Sequence, residues 1–124
     1  MGGEPATYQQ RDWTHDPRGR LLGNWRTVPP GPLVILEGVT SSRRDAADLL
    51  TFTVWIEAAY EVRLDRGVER DGESMRETWV NWMEREEAFF SGDRARDRAD
   101  LIVDGAPARP HHPDRQFVLE LPRP

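Results

Sequence analysis

The chain contains no lysine, because all 17 of its basic residues are arginine. This absence excludes a phosphate-loop lysine, a Schiff-base lysine and a lysine general base. Cysteine is absent as well, which excludes disulfides, thiolate metal sites and a cysteine nucleophile. Mechanisms that need either side chain are therefore closed to this chain.

Large aliphatic and phenylalanine side chains are scarce. Leu, Ile, Val and Phe make up 26 of the 124 residues, which is close to the composition at which disorder becomes the usual expectation. Five tryptophans add bulk, so a few large side chains are expected to do much of the packing. The length predicts one domain with a small core.

Long hydrophobic runs are absent too. No apolar run approaches the ~20 residues that a helix needs to span a bilayer, and the N-terminus lacks the pattern of a signal peptide. We therefore expect a soluble, cytoplasmic protein without a membrane partner. The net charge of −5 also disfavours a general nucleic-acid-binding surface, although local arginine clusters remain suited to phosphates.

Three short apolar runs each end on an acidic residue, at residues 33–37, 52–57 and 100–104. The first has four apolar residues without alternation, which favours a strand covered on both faces, as in a parallel sheet flanked by helices. Glu37 would then stand at the carboxyl end of that strand, the edge where open α/β sheets bind ligands. Glu37 is therefore a candidate for metal binding or substrate orientation. The alternative is a charged strand end in solvent.

Helical patterns lie between these strands, so the chain reads β-α-β-α-α-β. The first, at residues 43–50, has Ser42 as a candidate cap, and the others cover residues 58–70 and 73–90. The last pattern carries an apolar and aromatic stripe, predicted to be core and not a ligand site. Its members are Met75, Trp79, Trp82 or Met83, Glu86 and Phe90.

The second helical pattern carries three arginines, Arg63, Arg66 and Arg70, at spacings that place them on one face. Guanidinium groups bind phosphate oxygens in pairs. Beside the carboxyl edge of a sheet, such a face would suit phosphoryl transfer. The alternative is a solvated helix surface whose arginines pair with Glu61, Asp65 and Glu69.

The ends of the chain read differently from the centre. We predict an extended polar arm at residues 1–32, where Pro and Gly break any long regular element. A domain follows at residues 33–105, and then a Pro-rich tail at residues 106–124 that adds at most one edge strand. His111 and His112 in this tail lack the spacing that preorganises a metal site, so no metal site is predicted.

Several motifs occur in a recognisable order: 33–38 (LVILEG), 54–57 (VWIE), 63–71 (RLDRGVERD), 82–90 (WMEREEAFF) and 99–105 (ADLIVDG). This series resembles the later part of uridine-kinase-like P-loop kinases. Residues 5–13 (PATYQQRDW) resemble the preceding stretch, where the family carries a Pro-x-Tyr-Asp-aromatic signature near the nucleoside. The resemblance covers about residues 4–105.

The resemblance implies an α/β fold: part of a P-loop-kinase-type parallel sheet, with about three core strands and a possible C-terminal edge strand, flanked by helices. It also implies ATP and Mg²⁺ as the family's cofactors, and a nucleoside or similar small alcohol as substrate. Glu37 corresponds to the acid that ends the third strand, close to substrate and metal. The implied phosphate contacts are Arg63, Arg66 and Arg70, and the implied nucleoside contacts are Tyr8, Asp12 and Trp13.

The chain departs from the family in what it lacks. It has no glycine-rich loop with Lys-Ser/Thr and no second strand with the expected catalytic acid, so we do not expect phosphate transfer from ATP by the chain alone. The family's central first strand, between the third and fourth, is missing as well. Either strands 33–37 and 52–57 pair directly, or a second chain supplies the missing strand and phosphate loop.

Three hypotheses follow from these departures. The chain is the C-terminal portion of a uridine-kinase-like phosphotransferase, inactive alone. Alternatively, it is a non-catalytic binding or regulatory module derived from such a kinase. The third hypothesis is that the reading frame starts upstream of Met1 and includes the phosphate loop.

Overall fold

The computed structural model describes residues 3–12, 15–16 and 20–120. The chain forms two compact units, Met1–Leu36 and Glu37–Pro124. The first unit contains β1 (Ala6–Arg11) and β2 (Leu22–Val28). The second contains β3 (Val54–Glu57), α1 (Tyr60–Asp71), α2 (Arg76–Asp93), β4 (Leu101–Asp104) and β5 (Val118–Leu119), with 3₁₀ helices at Arg44–Leu49, Glu73–Met75 and Arg96–Arg98.

The first unit is built on an antiparallel strand pair. Ala6 lies opposite Val28 and Tyr8 opposite Arg26, with a register shift between Gln9 and Arg11. The sequence predicts only an extended polar arm here. The paired strands arise because the prolines and nearly all glycines of this segment fall outside the two strand ranges, which instead hold the Thr, Tyr, Trp and Val residues that favour strands.

The strand predicted at residues 33–37 is not formed, and this prediction is wrong. Leu33, Val34, Ile35 and Leu36 are 58–80% exposed. An apolar run without alternation needs cover on both faces to become a buried strand, and no strand among the described residues pairs with it. Pro29, Pro30 and Pro32 precede the run and offer no amide donors to a ladder.

The second unit is a mixed α/β arrangement around a three-stranded sheet in the order β3-β4-β5. β3 and β4 are parallel, from Val54 opposite Leu101 to Glu57 opposite Asp104, and the two helices between them provide the crossover that parallel strands require. β5 is antiparallel to β4. The predictions of strands at 52–57 and 100–104, and of an edge strand in the tail, are confirmed.

The core of the second unit lies along α2. Met83 is 1% exposed and follows the predicted stripe, whereas Trp82 is 39% exposed. Phe90 meets Trp55 of β3 edge-on, with ring centroids 4.8 Å apart, which attaches α2 to one face of the sheet. The prediction that this stripe is core is confirmed, with Met83 as its central member.

Two helix boundaries depend on features that the local sequence pattern does not supply, one on a backbone conformation with positive φ and the other on a hydrogen bond to a residue distant in the chain. Gly72, at φ 95°, separates α1 from the helix that follows. At the start of the first 3₁₀ helix, Arg43 takes the cap position without a side-chain hydrogen bond, so the prediction of Ser42 as cap is wrong. The Arg44 N–H donates instead to Asp93 Oδ2 at 2.8 Å, because the end of α2 brings this carboxylate to an otherwise unsatisfied amide.

Within the described ranges, no helix has both the length and the apolar character needed to cross a membrane.

Candidate functional site

The carboxyl ends of β3 and β4 meet at one edge of the sheet, because the two strands are parallel and in register. Glu57 ends β3 and Asp104 ends β4. The Gly105 N–H donates to the Glu57 carbonyl at 2.7 Å, which closes the two strand ends together. This edge is the place where α/β sheets of this kind bind ligands.

Glu57 is held by two neighbours on the helix-covered face of the sheet. Its Oε2 accepts hydrogen bonds from Trp55 Nε1 at 3.0 Å and from Arg96 Nε at 2.8 Å. Arg96 Nη2 also donates to Glu120 Oε2 at 2.8 Å. The hydrogen bond to Glu57 raises the pKa of Arg96, with Glu120 as a further cause. Arg96 therefore joins the ends of β3 and β5 across β4.

Asp104 closes the turn after β4. Its Oδ1 accepts the Ala106 N–H at 2.9 Å. Gly105 next to it packs closely, since a Cβ built there would lie 2.8 Å from Ile56 Cγ2 and 3.0 Å from the Glu57 carbonyl oxygen. The strand end at β4 therefore has little room for a side chain at Gly105.

Two of the three predicted phosphate-binding arginines on α1 pair with carboxylates of the chain itself. Arg63 forms an ion pair with Glu86 of α2, and its Nε is buried without a hydrogen-bond partner among the described residues. Arg70 pairs with Asp71 through two hydrogen bonds, of 2.8 and 2.9 Å. Neither Glu86 nor Asp71 is among the acidic residues that the alternative interpretation names, which are Glu61, Asp65 and Glu69.

Arg66 reaches the carboxyl edge of the sheet. Its Nη1 donates to the Gly105 carbonyl at 3.0 Å, and the residue is exposed. Of the three arginines, it is Arg66 that the structure places beside the strand ends, with guanidinium donors left for an anion.

Close packing between α1 and α2 keeps Arg63 and Arg70 in place. A Cβ at Gly67 would lie 2.7 Å from the Trp79 ring, so glycine is what allows this helix approach. Trp79 Nε1 donates to Asp71 Oδ2 at 3.0 Å, and the Arg70 guanidinium lies 5.3 Å from the Trp79 ring centroid. The hydrogen bond from Arg70 is the main cause that lowers the pKa of Asp71.

Glu37 does not stand at a strand end, because residues 33–37 form no strand. Its side chain is exposed and makes no hydrogen bond or ion pair with the described residues. The predicted position of Glu37 at a strand end is therefore wrong, and the residue lies in an exposed loop at the start of the second unit. Its role in metal binding or substrate orientation stays a prediction.

The predicted nucleoside contacts belong to the first unit. Tyr8 is 50% exposed on β1. The Asp12 carboxylate accepts the His15 N–H at 3.1 Å and lies 2.9 Å from His15 Nδ1, so it organises the chain after β1. Trp13 lies outside the described residues.

No three His, Asp or Glu side chains of the described ranges are grouped so that they could hold a metal ion. Comparison with protein-family models, with curated proteins and with solved structures finds no match. What the site can do therefore follows from its own geometry and from the sequence motifs.

A second polar cluster lies at the amino ends of β3 and β4, and the sequence did not predict it. Arg98 Nη2 donates to Asp93 Oδ1 at 2.8 Å and to the Ser42 carbonyl at 3.1 Å. Asp100 Oδ2 accepts from Thr53 N at 2.7 Å and Thr53 Oγ1 at 2.9 Å. The sequence signal was available, since Thr53 and Asp100 lie at the starts of the strands predicted at 52–57 and 100–104, and these starts meet if the strands are parallel.

Proposed function

We propose that this chain is the substrate-side part of a uridine-kinase-like phosphotransferase, the parent reaction being ATP-dependent phosphorylation of a nucleoside or similar small alcohol. The observation that carries the proposal is the arrangement of β3. It pairs in parallel with β4 on one edge, and within residues 37–120 no strand pairs with its other edge. In the resembled family, the strand that leads into the phosphate loop lies on that other side.

The unpaired edge of β3 is suited to another strand. The Thr53 carbonyl accepts from Leu101 N and the Glu57 carbonyl from Gly105 N, so alternate residues bond to β4, and the N–H and C=O groups of Val54 and Ile56 face outward. Their side chains are 48% and 68% exposed. Unpaired strand edges of this kind are templates for strand addition. A second chain carrying the phosphate loop and its strand would fit here.

Arg66 lies at the carboxyl ends of β3 and β4, and its position supports a role in binding a phosphate group. Its hydrogen bond to the Gly105 carbonyl holds the guanidinium beside the strand ends, where the resembled family binds its phosphates. Arg63 and Arg70 contact α2 instead, Arg63 through its ion pair with Glu86 and Arg70 over the Trp79 ring.

The described residues do not fit ATP·Mg²⁺. The chain has no lysine, and the residues that the structure describes contain no group of three or more His, Asp or Glu side chains that could hold the metal. We therefore propose that ATP binding requires the second chain, and we assign no step of the transfer to residues present here. A cytoplasmic location belongs to the same proposal.

A second candidate function is a non-catalytic binding or regulatory module derived from such a kinase. The observation that favours it is that two of the three α1 arginines already pair with carboxylates of the same chain, Arg63 with Glu86 and Arg70 with Asp71. In this case the chain binds its small molecule without contributing to a transfer reaction.

Calorimetric titration of the folded chain with uridine, uridine 5′-monophosphate and ATP·Mg²⁺ tests whether the chain binds the substrate and a phosphate group by itself. We expect the monophosphate to bind more tightly than uridine, and ATP·Mg²⁺ not to bind. Arg66→Ala should remove the preference for the monophosphate, whereas Arg85→Ala, which deletes an exposed guanidinium from α2, should keep it. A folded chain that binds neither uridine nor its monophosphate would contradict the proposal.

Complementation separates the two candidate functions. The chain is mixed with a polypeptide comprising the first strand, the glycine-rich phosphate loop, the following helix and the second strand with its catalytic acid from a uridine-kinase-like enzyme. Uridine-dependent formation of ADP in the mixture, absent from either component alone, supports the phosphotransferase. Uridine binding without turnover supports the binding module. A control polypeptide with proline in the first strand should not complement, because proline removes a ladder hydrogen bond.

A further inference from the structure

A cavity of about 290 Å³ opens at the amino ends of β3 and β4. Thr53 directly precedes β3 and Asp100 directly precedes β4, and both line the cavity. The four residues of each strand separate it by about 13 Å from the carboxyl edge, at ~3.3 Å per residue. The cavity is therefore distinct from the site proposed for phosphate binding, and what it binds does not depend on that proposal.

One wall of the cavity is apolar. Ala47 and Leu50 line it from the first 3₁₀ helix and the residue after it, and Ala95, which is 3% exposed, lines it from the turn after α2. Small and aliphatic side chains leave space for a short hydrocarbon chain, which gains free energy by leaving water.

The positive charge of Arg98, which lines the cavity, is already neutralised by an ion pair. Arg98 pairs with the Asp93 carboxylate at 2.8 Å and also donates to the carbonyl oxygens of Asp93 and Ser42. An anion entering the cavity would have to compete with Asp93 for Arg98, so the cavity is poorly suited to anionic ligands.

The negative charge of Asp100, which also lines the cavity, is not neutralised by an ion pair with any described residue. Asp100 Oδ2 accepts two hydrogen bonds from Thr53, which carries no charge. Among the described residues, no arginine or histidine forms an ion pair with Asp100, and the residue is exposed. The hydrogen bonds from the Thr53 backbone and hydroxyl lower the pKa of Asp100, so the group stays ionised at neutral pH. Among the described residues, Asp100 is therefore the charged side chain of the cavity lining whose charge no ion pair neutralises.

We propose that this cavity binds a small primary ammonium compound with a short aliphatic chain. The ammonium group donates to Asp100 Oδ1, and its other hydrogens are directed toward the hydroxyl groups of Ser42 and Thr51, which also line the cavity. The aliphatic chain lies against Ala47 and Leu50. A neutral alcohol of the same shape lacks the charge, and a carboxylate is repelled by Asp100.

Nuclear magnetic resonance titration of ¹⁵N-labelled protein with butylammonium chloride tests this proposal, with 1-butanol and sodium butyrate as probes of equal size at constant ionic strength. We expect saturable shifts of the Thr53 and Asp100 amide signals with butylammonium, and no saturation with the other two. Asp100→Asn should weaken butylammonium binding at least about tenfold, because the amide keeps the hydrogen-bonding shape but loses the charge.

Two further variants make the outcome decisive. Asp65→Asn makes the same charge change on the exposed face of α1, away from the cavity, and should bind as the parent does. Ala47→Leu leaves Asp100 intact but places three more carbon atoms where the aliphatic chain of the ligand is proposed to lie, and should weaken butylammonium binding. The proposal is overturned if butylammonium fails to saturate the parent, if 1-butanol binds equally well, or if either Asp100→Asn or Ala47→Leu, shown by circular dichroism to be folded, binds as the parent does.

Discussion

Arg96 Nε donates a hydrogen bond to Glu57 Oε2 at 2.8 Å, and this bond ties the turn before β4 to the end of β3. The same guanidinium binds Glu120 beyond β5. One side chain thus spans all three strands of the sheet. In a domain whose core contains few fully buried side chains, such a cross-strand connection contributes noticeably to the stability of the sheet.

Arg96→Ala is expected to lower the free energy of unfolding by about 1 kcal/mol, since partly exposed ion pairs are screened and each contributes little, while this one arginine serves two carboxylates. Urea unfolding followed by circular dichroism measures the change. Arg85→Ala removes an exposed arginine from α2 and should stay within about 0.5 kcal/mol of the parent. Equal effects of the two variants would contradict the role given to Arg96.

The parts of the fold that local patterns determine were predictable. β3, β4 and the stripe of α2 follow from apolar periodicity, which depends only on nearby residues. Residues 33–36 show the limit of this reasoning, because hydrophobicity predicts burial but burial needs a partner element. The links of Arg96 to Glu57 and Glu120 join residues 39 and 24 positions apart, and no local pattern specifies them.

The candidate site follows the same division. The positions of Arg63, Arg66 and Arg70 on one helix were predictable, but their partners were not. Arg63 turns to α2 and Arg66 to the end of β4, because the close approach of α1 and α2 at Gly67 sets the rotation of α1. A spacing rule places side chains on a face without saying what that face meets.

Gly67→Ala is expected to destabilise the protein by about 1–3 kcal/mol, because the new Cβ would lie 2.7 Å from the Trp79 ring and force the helices apart. Gly92→Ala is the matched control in the other helix. Nothing lies within 4 Å of a Cβ there, so the higher helix propensity of alanine should stabilise the protein by up to about 1 kcal/mol. Thermal unfolding of both variants measures these opposite shifts, and a gain in stability from Gly67→Ala would show that the helices do not approach closely there.

Asp93 is expected to make stability depend on pH in the acid range. The Arg44 N–H is the main cause that lowers the pKa of Asp93 below 3.8, and Arg98 adds to it. Because the folded pKa lies below the unfolded one, the carboxylate stabilises the fold above about pH 3.8, and this contribution is lost as the pH falls through the folded pKa. Asp93→Asn should therefore be less stable than the parent at neutral pH, and the difference should shrink in acid.

Urea unfolding of parent and Asp93→Asn between about pH 7 and pH 2 checks this expectation. Asp114→Asn, an exposed position in the tail, is the control and should show no such convergence. A difference between parent and Asp93→Asn that stays constant over the whole range would mean that the ionised carboxylate is not what stabilises this contact.

Arg94→Gly is expected to stabilise the protein. Arg94 ends α2 in the left-handed conformation, at φ 59° and ψ 37°, and a residue with a Cβ is strained there by about 1–2 kcal/mol, whereas glycine adopts this conformation freely. The substitution also loses the exposed ion pair with Asp97, so Arg94→Ala, which loses the same pair but keeps the strain, is the proper comparison. We expect the glycine variant to exceed the alanine variant by about 1 kcal/mol in urea unfolding. Equal stability of the two would mean that α2 ends without the left-handed residue in solution, and that the Arg94 N–H does not close the last turn onto the Phe90 carbonyl, a bond of 2.8 Å in the structure.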